Sequence, residues 1–228
     1  MLSIRSSRSD KNVMRSSPLV VGSGALAPEV YRQAFVSLVL PRDAQPKIIG
    51  VTSAISGEGR TTVALGLAQT LASDLDAPIT LIEVDFDRPA LARHFDIAVA
   101  PGLCEVLRGE YQLNEVVRPA SDTLSVVTAG SVGPDAARLL RQLNTQNPIR
   151  NDSGLTGIVI LDLPPIMKHS YSSLAASIAD AVVLVLRAGV TPSDVVRDAI
   201  ARLDDPPQGV ILNAPRTALP AWWPGRGA

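Results

Sequence analysis

A phosphate loop set between a strand and a helix limits what this chain can fold into. Ala54-Ile55-Ser56-Gly57-Glu58-Gly59-Arg60-Thr61-Thr62 follows the apolar run Ile48-Ile49-Gly50-Val51. The pattern asks for Gly or Ala, four residues, Gly, Lys, then Ser or Thr. Ala54, Gly59 and Thr61 fit, and Arg60 stands where the lysine belongs. Successive backbone N–H groups of such a loop curl around phosphate oxygens, and the next helix points its positive end at them. Ser56, Gly57, Glu58, Gly59, Arg60, Thr61 and Thr62 are therefore candidate nucleotide contacts, and the Thr61 hydroxyl is a candidate Mg²⁺ ligand. The same loop casts doubt on hydrolysis, because arginine is a bulkier, planar cation and not an equivalent point charge. The only lysines are Lys11, Lys47 and Lys168, so a general bias toward arginine is the ordinary alternative.

The rest of the chain supplies the sheet around that loop. Apolar strands are expected at 47–53, 78–85, 124–128, 157–162, 181–187 and 209–213. Helical spacing is expected at 28–40, 63–71, 134–143, 171–178 and 192–203. Continuous apolar strands alternating with helices predict an α/β fold, a mostly parallel sheet with helices on both faces. At 228 residues there is room for one good-sized domain. Residues 1–24, rich in Ser and Arg, read as a flexible basic arm. Residues 25–213 read as one P-loop nucleotide-binding domain, and 214–228, with Trp222-Trp223, as an irregular tail.

Two acidic strand ends join the loop. Leu81-Ile82-Glu83-Val84-Asp85-Phe86-Asp87-Arg88-Pro89 carries carboxylates at alternate positions, which share a side if the chain stays extended. Ile158-Val159-Ile160-Leu161-Asp162-Leu163-Pro164-Pro165 ends four apolar residues in one aspartate, a candidate Mg²⁺ partner. An aspartate that ends a strand can equally cap the following helix. All three elements fall at strand carboxyl ends, where such sheets bind ligands.

Net charge is -1 and aromatics make up 4% of residues, so neither bulk electrostatics nor stacking platforms favour nucleic acid. The lone Cys104 rules out an internal disulfide and reads as a small core residue. No apolar run approaches the ~20 residues of a membrane span, and the N-terminus lacks a secretory apolar region. The expected location is cytoplasmic.

At these residues the chain resembles the bacterial tyrosine kinase family of capsule and exopolysaccharide synthesis, related in fold to the Min and Par ATPases. The likeness runs from about Glu29 to Asn213. It rests on Gly57-Glu58-Gly59-Arg60-Thr61-Thr62, on Glu83, Asp85, Arg88 and Pro89, and on Asp162-Leu163-Pro164-Pro165. Pro101 to Glu110, Gly209-Val210-Ile211-Leu212-Asn213 and Glu29-Val30-Tyr31-Arg32 agree as well. Min and Par relatives carry an early loop lysine where Ile55 stands, which favours the polysaccharide branch. The resemblance implies ATP with Mg²⁺ as cofactors, catalytic carboxylates at Glu83 and Asp85, metal contacts at Thr61, Asp85 and Asp162, and an adenine contact at Asn213. It also implies a membrane polysaccharide co-polymerase as partner, through which the chain would reach the inner membrane, and leaves a homo-oligomer open.

Four departures bear on activity: Arg60 for lysine, Glu83 for the first aspartate of the second motif, Asp87 for its arginine, and no tyrosine after Asn213. Phosphorylation of a tyrosine-rich tail is therefore not expected. Phe35 stands where the ring-assembly motif has its second arginine, and Tyr31 reads as a packing residue. The expected function is an ATP-binding partner of a polysaccharide co-polymerase, with or without kinase activity. The alternatives are a tyrosine kinase acting on other proteins and a Min/Par-like positioning ATPase.

Overall fold

A computed structural model describes residues 19–21, 28–39, 47–151 and 155–213. Its eight strands are β1 (Leu19–Val21), β2 (Ile48–Ser53), β3 (Ile79–Glu83), β4 (Arg118–Pro119), β5 (Leu124–Val127), β6 (Ile158–Asp162), β7 (Ala181–Arg187) and β8 (Gly209–Asn213). They form one sheet in the order β1-β8-β7-β2-β6-β3-β5-β4. Every pairing is parallel except β4 with β5.

The strands read as continuous apolar runs because both faces are covered. On one face Ile49, Val51, Ile79, Leu81, Ile158, Ile160, Val183 and Val185 pack under α1 (Pro28–Val39) and α2 (Arg60–Asp74). On the other, Ile48, Ile82, Val159, Leu161, Val182 and Leu184 meet α4 (Leu103–Arg108), α6 (Ala136–Gln146), α8 (Ser172–Ala176) and α9 (Ser193–Ala201). Alternate residues of a strand point to opposite faces, so one run feeds two cores. Burial of each large aliphatic side chain is worth about 1.5–3 kcal/mol. Cys104 lies in the second core, fully buried, and its thiol is pushed up to about 12 by that burial.

Helix α1 is fixed to α2 by a close approach. Tyr31 is buried over Gly66, where an added Cβ would lie 2.1 Å from the ring. Arg32 forks onto Asp74 at the end of α2, with Nη2 donating to Oδ1 at 3.0 Å. Phe35 packs half-buried against the same core.

Several elements differ from the sequence reading. Leu19–Val21 pair with Ile211–Asn213 in parallel, so the end of the expected flexible arm is an edge strand. The exposed edge of β8 offers unpaired N–H and C=O groups, which three residues of chain can satisfy. Residues 1–18, 22–27 and the tail 214–228 with its tryptophan pair lie outside the described residues. Strand β4 and the short helices α3 (Leu91–Phe95), α5 (Leu113–Val116) and α7 (Pro148–Asn151), like α4, were not expected. Among the described residues no helix is long and apolar enough to cross a membrane.

Candidate functional site: a phosphate loop with an internal cation

Strand β2 lies in the middle of the sheet, between β6 and β7, and its carboxyl end opens into the loop 54–59. Register sets Val51 opposite Asp162, and Asp162 opposite Glu83, so the acidic strand ends stand in one row beside the loop. The chain after Asp162 stays tied to β2: Leu163, Ile166 and Met167 donate N–H groups to the carbonyls of Val51, Ser53 and Ala54.

The loop is held from the opposite side by Glu58. Its carboxylate is 2% exposed and accepts from the N–H of Ile55 at 2.7 Å, the N–H of Arg187 at 3.1 Å and the hydroxyl of Thr191. The Asn213 amide donates to the Glu58 carbonyl at 2.9 Å. It lies over Gly59, which sits at φ 90°, where a Cβ would be 2.1 Å from the amide nitrogen. Gly59 precedes α2 without a side-chain cap, so the first N–H groups of that helix face the loop's mouth. These contacts refine two expectations. The Glu58 side chain is spent within the protein, so Glu58 can offer a nucleotide only its backbone. Asn213 has one clear task, holding the loop.

Arg60 opens α2 and turns inward. Its Nη2 donates to Asp85 Oδ2, and its Nε lies 3.7 Å from Asp162 Oδ1. Arg60 is 7% exposed, and Asp85 and Asp162 are each 1% exposed, so this is a buried ion group. It is incompletely satisfied: Arg60 Nε and Asp162 Oδ1 have no hydrogen-bond partner. Burial draws the Arg60 guanidinium below its ordinary value, against the charge of Asp162. Burial likewise pushes the Asp162 carboxyl up to about 6, against the Arg60 charge and a hydrogen bond from Thr61.

Glu83 is used differently from the expectation of a catalytic carboxylate. Its Oε1 accepts from the N–H groups of Ala90 and Leu91, and its Oε2 from the N–H of Ala129 at 3.1 Å. The extra methylene carries the carboxylate to the start of α3 and the end of β5, where orphan amides need an acceptor. In this structure the Glu83 carboxylate is taken up by backbone amides, and Asp85 is the carboxylate of that strand end that meets the loop.

Asp87 also finds partners that the sequence reading missed. It accepts from Lys168 Nζ at 2.8 Å and lies 2.5 Å from His169 Nε2, while the His169 ring stacks on Tyr171 with centroids 4.8 Å apart. Burial raises Asp87 and is outweighed by these two hydrogen bonds, which hold it below the usual carboxylate range. The available signal was a charge reversal at 87 matched by one of only three lysines in the chain.

The residues expected to hold Mg²⁺ are Thr61, Asp85 and Asp162. They are hard oxygen donors of the right kind, but Arg60 lies across the two aspartates. Among the described residues no group of three or more His, Cys, Asp or Glu could hold a metal ion. As arranged, the site does not fit a divalent ion until Arg60 moves.

No protein-family model matches the chain. It is similar to the tyrosine-protein kinase YwqD of Bacillus subtilis (strain 168), 28% identical over 214 residues, which is 92% of this chain and 88% of that protein. It superposes on the kinase domain of the Escherichia coli tyrosine kinase ETK with a TM-score of 0.72 at 27% identity, covering 85% of this chain and 78% of that one. The resemblance is to the bacterial tyrosine-protein kinases. A further relative, the succinoglycan biosynthesis transport protein ExoP of Rhizobium meliloti (strain 1021), is 28% identical over 74% of this chain, which spans only 22% of that protein. The septum site-determining protein MinD of Pyrococcus horikoshii OT3, solved with Mg-ADP, has a TM-score of 0.55 at 19% identity, covering 73% of this chain and 81% of that one. That likeness shows the fold alone, a mostly parallel sheet with helices on both faces.

Proposed function

We propose that the chain is a nucleotide-binding component of surface-polysaccharide biosynthesis. It would work as the ATP-binding partner of a membrane polysaccharide co-polymerase and meet the inner membrane from the cytoplasm through that partner. The observation that carries this reading is the loop 54–61 opening α2 beside Asp85 and Asp162. The likeness to bacterial tyrosine kinases and to a succinoglycan transport protein supports the pathway. The proposed functional unit is 25–213, with Leu19–Val21 of the preceding segment paired onto its sheet edge and 214–228 as a flanking segment.

In this reading the backbone N–H groups of Ser56 to Thr62 surround the phosphates, and the positive end of α2 faces them. Glu58 and Asn213 hold the loop in shape before a nucleotide arrives. The Thr61 hydroxyl and the Asp162 carboxylate would hold Mg²⁺ once the cation already present is displaced, and the ion would supply charge neutralisation at the phosphates. Phosphoryl transfer depends on positioning of charge around the γ-phosphate. Arg60 drawn onto aspartates and Glu83 drawn onto amides both count against fast transfer, so the favoured role is a switch rather than a kinase.

Two measurements test this. Calorimetry of the full chain with ATP should show binding, and absence of any ATP or ADP binding would remove the reading. Transfer of labelled γ-phosphate to tyrosine, in the presence of a membrane polysaccharide co-polymerase, should be undetectable. Robust transfer that is lost in Asp162→Ala would replace the switch by the second reading, a tyrosine kinase acting on other proteins. The family likeness is what favours that second reading.

A further inference from the structure

We propose that Arg60 is the resident cation of the Asp85–Asp162 pair, and that a divalent metal ion and the Arg60 guanidinium are mutually exclusive occupants of it. The inference concerns the same site as the nucleotide reading, and its test uses no nucleotide, so the two can fail separately.

Glu83, Asp85 and Asp162 are each 1% exposed and stand at neighbouring strand ends. Glu83 has three backbone N–H donors to itself. Asp85 has one backbone donor, the N–H of Asp87 at 3.2 Å, and Asp162 has Thr61. Two buried carboxylates with so few donors require a cation, because an uncompensated buried charge is strongly destabilising. Arg60 is the cation on the spot.

Geometry makes the occupancy exclusive. A divalent ion binds carboxylate oxygen at about 2.0–2.6 Å, so it would need the space in which Arg60 Nη2 meets Asp85. The present pairing is also incomplete, since Arg60 Nε and Asp162 Oδ1 are both left without a hydrogen bond. The guanidinium meets Asp85 through Nη2 and leaves its Nε 3.7 Å from Asp162 Oδ1, so the second aspartate is approached without a hydrogen bond.

The loop itself leaves Arg60 free to exchange. Its shape is held by Glu58, Thr191, the Arg187 N–H and Asn213, none of which involves the Arg60 side chain. Arg60 is the first residue of α2, so its side chain can swing from the aspartates toward the mouth of the loop without breaking the helix. A lysine at this position would be a compact point charge on a flexible stem, without the planar guanidinium that Arg60 lays against Asp85. The substitution thus converts a phosphate ligand into an internal competitor of the metal.

The test is a Mn²⁺ titration of the full chain followed by electron paramagnetic resonance, for wild type, Arg60→Gln and Arg60→Gln/Asp85→Asn. Arg60→Gln should bind one Mn²⁺ at least about tenfold more tightly than wild type, as expected when a competing buried cation is removed. The double variant should lose that gain. Wild-type binding as tight as that of Arg60→Gln overturns the proposal, and so does a gain that survives Asp85→Asn. If Arg60→Gln does not fold without metal, far-UV circular dichroism decides. Refolding by millimolar Mn²⁺ supports the ion as the replacement for the guanidinium, and failure to refold overturns it.

Discussion

Two arginine–carboxylate networks in this molecule look alike on paper and differ in what they leave unsatisfied. At the phosphate loop, Arg60 meets Asp85 and Asp162 in full burial, and one donor and one acceptor remain without hydrogen-bond partners. Across the sheet, Arg108 of α4 forks onto Asp135 with Nη2–Oδ1 at 2.9 Å and Nε–Oδ2 at 3.1 Å, Arg138 adds a third contact, and Glu105 takes the N–H groups of Gly102 and Ser131. That second network is partly exposed, Asp135 at 25% and Arg138 at 51%, and closes on itself. Asp135 is pushed down to about 2, chiefly by the hydrogen bond from Arg108. A bidentate fork of this kind is a finished structural joint. The buried group at the loop is an unfinished one, which is what a ligand site looks like before its ligand.

The largest expected effect separates the two at once. Arg60→Met leaves two buried carboxylates without a cation and should cost about 3–5 kcal/mol in urea denaturation near neutral pH. Arg108→Ala should cost no more than about a third of that, because solvent reaches the charges it strands. Equal losses would erase the distinction.

The pH dependence comes next, and the two networks run in opposite directions. Asp162 titrates in the folded protein near 6, above the ordinary value of 3.8. The folded state therefore holds a proton that the unfolded chain has released, and this group lowers stability as pH rises from about 4 to about 6. Asp135 titrates near 2, below 3.8, so its contribution is present above the ordinary value and is lost as pH falls toward 2. Thermal melts across pH should lose the first trend in Asp162→Asn and the second in Asp135→Asn.

Glu58→Gln is a smaller perturbation. The amide keeps one acceptor oxygen where the carboxylate had two, so one of the contacts to Ile55 or to Arg187 and Thr191 goes, at about 1–2 kcal/mol. Hydrogen exchange at 55–60 should quicken while that at Arg108 and Asp135 stays unchanged. Smallest is Asp87→Asn, which weakens a half-exposed ion pair and should cost under about 1 kcal/mol. A larger loss would show that the joint between the two acidic strand ends matters more than its exposure suggests.

Much of this was legible in the sequence. The six long strands and the loop were readable because runs such as Ile158–Asp162 and Ala181–Arg187 are apolar on both faces. Strands of two or three residues, such as β1 and β4, and single-turn helices such as α5 are too short to show a period. The three elements of the site were found by their place at strand ends. Which way each side chain turns was not, because it hangs on contacts distant in sequence. Glu83 goes to Ala129, 46 positions away, and Asp87 to His169, 82 positions away. The same limit applies to Arg60: its identity raised the question, and only Asp85, 25 positions on, shows where the charge goes.

The contact of Asp87 with Lys168 and His169 has a consequence for anyone recombining proteins of this fold. The loops after β3 and β6 are chemically one part, since the acid belongs to one and its bases to the other. A graft of the Lys168–His169 loop alone into a relative with arginine at position 87 would place like charges together, whereas both loops exchanged at once would travel as a self-consistent cassette.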